Sequence, residues 1–157
     1  MANKYYIAYG SNLNVQKMGM RCPNATVIGT AVLKCWELLF KGSKTGFYLT
    51  IERCEGGSVP VAIWEVAEFD EKALDRYEGF PFFYYKKEIK VCCRNIRTGT
   101  NLNLTAFAYI MHEERPIGIP NARYMHTCFE GYDTFGFDRK VLLDAYDKCA
   151  ELCSHEE

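Results

Sequence analysis

Apolar residues fall in short runs over the first 112 positions and at helical spacing after them. Residues 5–9, Tyr-Tyr-Ile-Ala-Tyr, read as a buried strand ended by Gly10. Residues 14–21 read as a short helix stopped by Pro23. Val27, Ile28, Val32, Leu33, Trp36, Leu38, Leu39 and Phe40 mark one long bent strand, or two, over 26–40. Gly46–Ile51 and Val59–Val66 read as two further strands, the second following the turn signal Glu55-Gly56-Gly57-Ser58. A helix is predicted over 71–78, with Asp70 as N-cap, Phe69 and Leu74 as a hydrophobic staple, and Gly79 and Pro81 as the stop. Residues 83–95 and 102–112 form strands around a hairpin turn at Thr98-Gly99-Thr100-Asn101. Beyond Pro120, Asn121 caps a helix reaching Tyr132. Asp138 caps a second, with Leu142, Ala145, Tyr146, Cys149, Leu152 and Cys153 on one face. Strands in hairpin order followed by helices give the α+β class. The expected fold is a small mixed, largely antiparallel β-barrel with flanking helices.

Composition narrows the function. At 157 residues, with no repeat and no Pro/Ser-rich linker, the whole of 1–157 is expected to be one domain. Aromatic residues make up 15%, more than one small core absorbs, so some of them should line a cavity or an interface. The formal net charge of −1 argues against a nucleic-acid partner or an anionic membrane surface. No stretch has the roughly 18–20 apolar residues of a membrane span. The apolar run near the N-terminus is too short and aromatic for a signal peptide. None of the eight cysteines forms a C-x-x-C pair. Cys92 and Cys93 should face opposite sides of a strand, and Cys149 and Cys153 should share one buried stripe of a helix. They read as reduced thiols used as small hydrophobes in a cytoplasmic protein.

Several familiar chemistries fail. Gly10-Ser11-Asn12 sits between a strand and a helix but has one glycine where a dinucleotide fingerprint needs three, and Ser11 is not in a G-x-S-x-G elbow. His126 and Cys128 face different directions on a helix, and His112 and His155 lack ligand spacing, so no metal site is expected. Glu113–Pro116 reads as a charged loop. Two places remain unusual. Glu78 stands in the last turn of its helix, where the dipole disfavours negative charge by about 0.3–1 kcal/mol. An aromatic run from Phe80 to Tyr85 follows it. Burial there would raise its pKa further, giving a carboxylate that can accept and return a proton near neutral pH; exposure at a frayed helix end is the alternative. The loop Tyr9–Leu13 can cradle a carboxylate or an oxyanion, or can be an Asx-type turn.

These residues also carry a resemblance. YGSNL at Tyr9–Leu13, GTAVLKCWELLF at Gly29–Phe40, PVAIWEV at Pro60–Val66, LDRYEGFPFFYYKK at Leu74–Lys87 and PNARY at Pro120–Tyr124 resemble the gamma-glutamylcyclotransferase family, AIG2-like or butirosin-maturation type, over nearly the whole chain. The resemblance implies a mixed barrel with flanking helices and an enzyme of the amide C–N lyase type. Such an enzyme cyclises a gamma-glutamyl amide to 5-oxoproline and releases an amino acid or amine. It implies Glu78 as general acid/base. It implies Tyr9, Gly10, Ser11 and Asn12 as substrate-binding residues, with the flanking Tyr6, Ile7, Ala8 and Leu13, and Tyr124 as a pocket wall. No metal or other cofactor is implied, and the partner is a small gamma-glutamyl molecule. A homodimer is carried as an expectation. Where several relatives have a Trp-Gly-Gly-type segment this chain has Gly46-Phe47-Tyr48-Leu49-Thr50, which leaves the released amine open. Phe47, Phe82 and Phe83 are the residues expected to select it.

Two other functions stay in view: removal of a gamma-glutamyl protecting group from a larger amine metabolite, and a non-catalytic small-molecule-binding module on the same fold.

Overall fold

The computed structural model describes residues 3–155. Its frame is a closed barrel of five strands in the order β1-β3-β2-β4-β5: β1 Lys4–Ala8, β2 Thr26–Ser43, β3 Gly46–Val66, β4 Tyr84–Asn95 and β5 Asn101–Met111. Four helices flank it: α1 Val15–Arg21, α2 Glu68–Glu78, α3 Ala122–Phe135 and α4 Lys140–His155. β1 runs antiparallel to β3 from Lys4↔Val66 to Ala8↔Ala62. β4 and β5 form a hairpin, and β2 meets β4 at Gly29↔Asn95 and Thr30↔Arg94. The barrel closes where β5 lies parallel to β1 at Tyr6↔Phe107. The expected mixed, largely antiparallel barrel with flanking helices is therefore present.

The interior is filled by large side chains with almost no exposure, among them Ile7, Phe40, Leu49, Ile51, Ile63 and Tyr109. The outer helices cover the remaining apolar surface. Leu142, Ala145 and Cys149 of α4 are buried as expected, whereas Leu152 is 39% exposed and Cys153 only partly buried. Cys92 is exposed and Cys93 buried, as strand alternation requires, and none of the eight cysteines is in a disulfide.

The structure corrects two local expectations. The Glu55–Ser58 signal does not separate two strands. β3 continues through it, and because Lys34 pairs with Ser58 and Trp36 with Arg53, residues 54–57 bulge out of the ladder opposite Cys35. Gly57 is required there, since a Cβ would lie 2.3 Å from the Trp36 carbonyl oxygen. The helix expected over 71–78 begins earlier, at Glu68, with Ala67 as N-cap. Asp70 is its third residue, and its carboxylate reaches back to accept the Ala67 N–H at 3.0 Å. Phe69 is 69% exposed, so no staple forms. The predicted stop is right: Gly79 takes the left-handed conformation at φ 65°.

Candidate active site

β1 delivers Tyr6 and Tyr9 to one end of the barrel, where the chain turns through Gly10 into a short 3-10 turn, Ser11–Leu13. This turn opens beside a cavity of about 370 Å³. Tyr6, Tyr9, Gly10, Ser11 and Asn12 form one wall, and Tyr77, Glu78 and Gly79 from the end of α2 form another. Thr45, Tyr48 and Leu49 from the β2–β3 hairpin, Phe83, Tyr84 and Tyr109 from the β4–β5 side, and Tyr124 of α3 complete it, with Arg76 also lining it.

The carboxylate and the loop singled out in the sequence, some 65 residues apart, thus share one cavity. Ile7, Ala8 and Leu13 do not line it; their side chains are fully buried in the core. Among the expected selectors of the leaving amine, only Phe83 reaches the cavity. Phe82 is 85% exposed, and the Phe47 ring packs under Gly118, where a Cβ would come within 2.2 Å of it. Tyr48, Tyr84, Tyr109 and Arg76 were not among the candidates. Tyr48 and Tyr84 stood in segments already singled out, Tyr109 was signalled only by the aromatic surplus, and nothing in the sequence pointed to Arg76.

Glu78 is half-buried, because one side faces the cavity while protein atoms crowd the other. Burial pushes its carboxyl up to about 8, with the charge of Arg21 acting weakly in the opposite direction. Among the described residues, no hydrogen-bond donor reaches the Glu78 carboxylate. Glu78 therefore lies partly buried on the cavity wall and not fully exposed at a frayed helix end. An unpartnered carboxylate on a cavity wall is costly to the fold and is the arrangement expected of a proton carrier.

The surrounding hydroxyls are mostly engaged by the protein itself. Tyr9 donates to the Tyr109 carbonyl at 2.6 Å, Tyr84 to the Leu49 carbonyl at 2.9 Å, and Tyr109 to Asp75 Oδ1 at 2.6 Å. Tyr124 accepts the Leu49 N–H at 3.0 Å. Burial raises the phenols of Tyr6, Tyr9, Tyr84 and Tyr124 well above their ordinary value, so all remain neutral hydrogen-bonding groups. In the loop, Ser11 Oγ lies 3.2 Å from the Tyr77 hydroxyl and Asn12 Nδ2 donates to the Tyr6 hydroxyl at 2.9 Å. The N–H groups of Gly10, Ser11 and Asn12 open the 3-10 turn, so their hydrogen-bond acceptors must come from outside it. Gly10 lets the loop lie close, for a Cβ would meet the Tyr124 hydroxyl at 3.3 Å and Leu49 at 3.4 Å. Among the described residues, no three His, Cys, Asp or Glu side chains are grouped as metal ligands.

The closed barrel thus carries one cavity in which an unpaired glutamate at the end of α2 faces a Tyr-Gly-Ser-Asn turn. The chain belongs to the family described as gamma-glutamyl cyclotransferase, AIG2-like, whose model matches residues 6–126 and so takes in Tyr6, the Gly10–Asn12 turn, Glu78 and Tyr124. Among solved structures, a gamma-glutamyl cyclotransferase is similar at TM-score 0.75 and 25% identity, over 94% of this chain and 86% of its own. The human protein loc79017 is similar at TM-score 0.75 and 25% identity, over 96% of this chain and 88% of its own. YkqA from Bacillus subtilis shares the fold at TM-score 0.73 and 18% identity; this chain is covered over 99%, but spans 54% of that one. No curated protein sequence matches.

Proposed function

We propose that this protein is a gamma-glutamyl cyclotransferase. It would convert a gamma-glutamyl amide into 5-oxoproline and a free amine, with Glu78 carrying the proton. The observation that supports this most is the unpaired Glu78 carboxyl, at about 8, facing the Gly10–Asn12 turn across one cavity.

A gamma-glutamyl amide contains its own nucleophile, the alpha-amine, which reaches the gamma-carbonyl carbon to close a five-membered ring. Attack requires the loss of one proton from the ammonium, and departure requires one proton on the leaving nitrogen. The alpha-ammonium of a gamma-glutamyl amide stands beside a free alpha-carboxylate, which holds it above the roughly 7.7–8.0 of a peptide N-terminus, so an ordinary glutamate would be a base weaker by more than about three units. The raised Glu78 carboxyl narrows that gap. The bound ammonium also supplies the cation that the carboxylate lacks, so the charged pair forms on binding. Glu78 takes the proton as the ring closes and returns it to the leaving nitrogen as the C–N bond breaks. Folding the substrate into the attacking geometry can contribute about 7–11 kcal/mol, and one positioned carboxyl about 10²–10⁴-fold. The Gly10–Asn12 N–H groups and the Tyr6 hydroxyl are the donors for the oxyanion and the alpha-carboxylate.

The test is 5-oxoproline release, followed by mass spectrometry. Wild type and Glu78→Gln would each be given gamma-glutamyl-alanine, gamma-glutamyl-epsilon-lysine, glutathione and a bulky gamma-glutamyl amine. Release by wild type, reduced at least about 100-fold in the variant, is the expected result. Equal release by both proteins removes Glu78 from the mechanism. No release from any substrate replaces this reading with the non-catalytic binding module.

A further inference from the structure

Arg21, at the end of α1, lies outside the cavity wall yet is tied to it by two contacts. Its Nη1 donates to Asn12 Oδ1 at 2.6 Å, and its guanidinium covers the Tyr77 ring, 3.6 Å from the centroid. We propose that Arg21 is a positioning residue, which fixes the Asn12 amide in the one orientation that leaves the Tyr6 hydroxyl proton free to enter the cavity. The inference rests on the cyclotransferase reading.

The argument follows from which groups can donate. Arginine has donors and no acceptor, so the Asn12 atom that faces it must be the amide oxygen. The NH₂ group then faces Tyr6, and at 2.9 Å the Tyr6 oxygen accepts from it. A phenol that accepts there must point its own hydrogen elsewhere, and among the described residues no acceptor takes it. Tyr9, Tyr84 and Tyr109 differ in this respect, since a carbonyl or carboxylate of the protein holds the proton of each. Were the Asn12 amide reversed, its oxygen would draw the Tyr6 proton away from the cavity.

Tyr6 and Glu78 line the same cavity, and after burial the Glu78 charge is the strongest influence raising the Tyr6 phenol. A donor on the wall that carries its proton into this cavity is placed for the oxygen of the reacting carbonyl, whose negative charge grows as the ring closes. The groups acting with Glu78 are the neutral phenols of Tyr6 and Tyr9 from β1, Tyr84 from β4 and Tyr109 from β5. Arg21 from α1 is the cation acting on it. Arg21 therefore has a second effect, holding down the Glu78 carboxyl.

The experiment compares wild type with Arg21→Gln, Arg21→Lys and Asn12→Asp. Glutamine can donate or accept, so it no longer dictates the Asn12 amide, whereas lysine is again donor-only and charged. Arg21→Gln is expected to lower kcat about 10–100-fold while KM changes less than about threefold, the pattern of a lost transition-state donor. Arg21→Lys is expected to recover most of that loss. Asn12→Asp is expected to fold at least as stably, through an Arg–carboxylate pair, and still to lose rate, because the carboxylate captures the Tyr6 proton. In carbon-13 NMR titration, assigned through Glu78→Gln, the Glu78 carboxyl is expected to move up in Arg21→Gln and to stay in place in Arg21→Lys. Folded Arg21→Gln with wild-type kcat overturns the proposal, as does Asn12→Asp with wild-type kcat, or a lysine variant no better than glutamine. If wild type releases no 5-oxoproline, the cyclotransferase reading fails by itself. The NMR titration then decides the Arg21 link, and an unmoved Glu78 overturns it.

Discussion

The Tyr109 hydroxyl donates to Asp75 Oδ1 at 2.6 Å, joining the helix that carries Glu78 to a strand of the barrel. Lys86 of β4 lies on the same carboxylate at 2.9 Å and on Glu71 at 2.7 Å. Burial opposes the Lys86 charge, but these two acids outweigh it and raise its pKa. The end of α2 is thus fixed by two groups from two strands, and Glu78 is three residues beyond Asp75.

Tyr109→Phe removes the hydroxyl donor from Asp75, leaving Lys86 on that carboxylate, and is expected to cost about 1–3 kcal/mol. For a chain of this length that is about 2–4 °C of Tm per kcal/mol, measurable by thermal melting. An unchanged Tm would show that the bond does not hold α2 in place.

The pH dependence of turnover follows from the Glu78 carboxyl near 8. The acid limb of kcat/KM reports the free enzyme and is expected well above the roughly 4.3 of free glutamate. The limb of kcat is expected at lower pH, because the bound ammonium favours the carboxylate. An acid limb of kcat/KM at about 4.3 would refute the desolvated base.

Glu78 also makes the fold pH-sensitive, in a direction fixed by the sign of its shift. Its folded value is raised, so the folded state binds the extra proton between about 4.3 and about 8. Stability from this group is complete below the unfolded value and is lost as pH rises through the folded one. Glu78→Gln is expected to match wild type near pH 5 and to melt higher at pH 9. Parallel melting curves across that range would contradict it.

Gly131 of α3 packs directly on the turn that carries the site, where a Cβ would lie 2.6 Å from the Leu13 backbone carbon and 2.8 Å from the Asn14 nitrogen. Gly131→Ala must push backbone against backbone, and overpacking of this kind costs about 1–3 kcal/mol. The expected outcome is a lower Tm with turnover reduced further than stability alone explains, because Ser11 and Asn12 move with the loop. Retained stability and rate would show that α3 shifts freely away from the loop.

Much of the fold was legible in the sequence, since runs of apolar residues mark strands and 3.6-residue spacing marks helices whatever surrounds them. Gly79 and Asn121 announced helix ends by local chemistry, and the structure places each at the expected cap. The continuity of β3 was hidden, because Gly56-Gly57 reads as a turn unless the opposing Cys35 of β2 is known to absorb the bulge. The start of α2 was misplaced for a related reason: an aspartate serves equally as a cap or as the third residue reaching back to one.

For the site, the sequence by itself determined the residue types, a glutamate at a helix end and a Gly-Ser-Asn turn after a strand. Composition required aromatic side chains in excess of one core. Which of them meet depended on barrel closure, which brings β1, the end of α2 and the β2–β3 hairpin to one cavity. Tyr109, Tyr48 and Arg21 acquire their places only there. Strand spacing is a local property of the chain, whereas the distance from Arg21 to Asn12, and from both to Tyr6, is set by how α1 packs against the barrel mouth. The desolvation that moves Glu78 is likewise a property of the assembled walls.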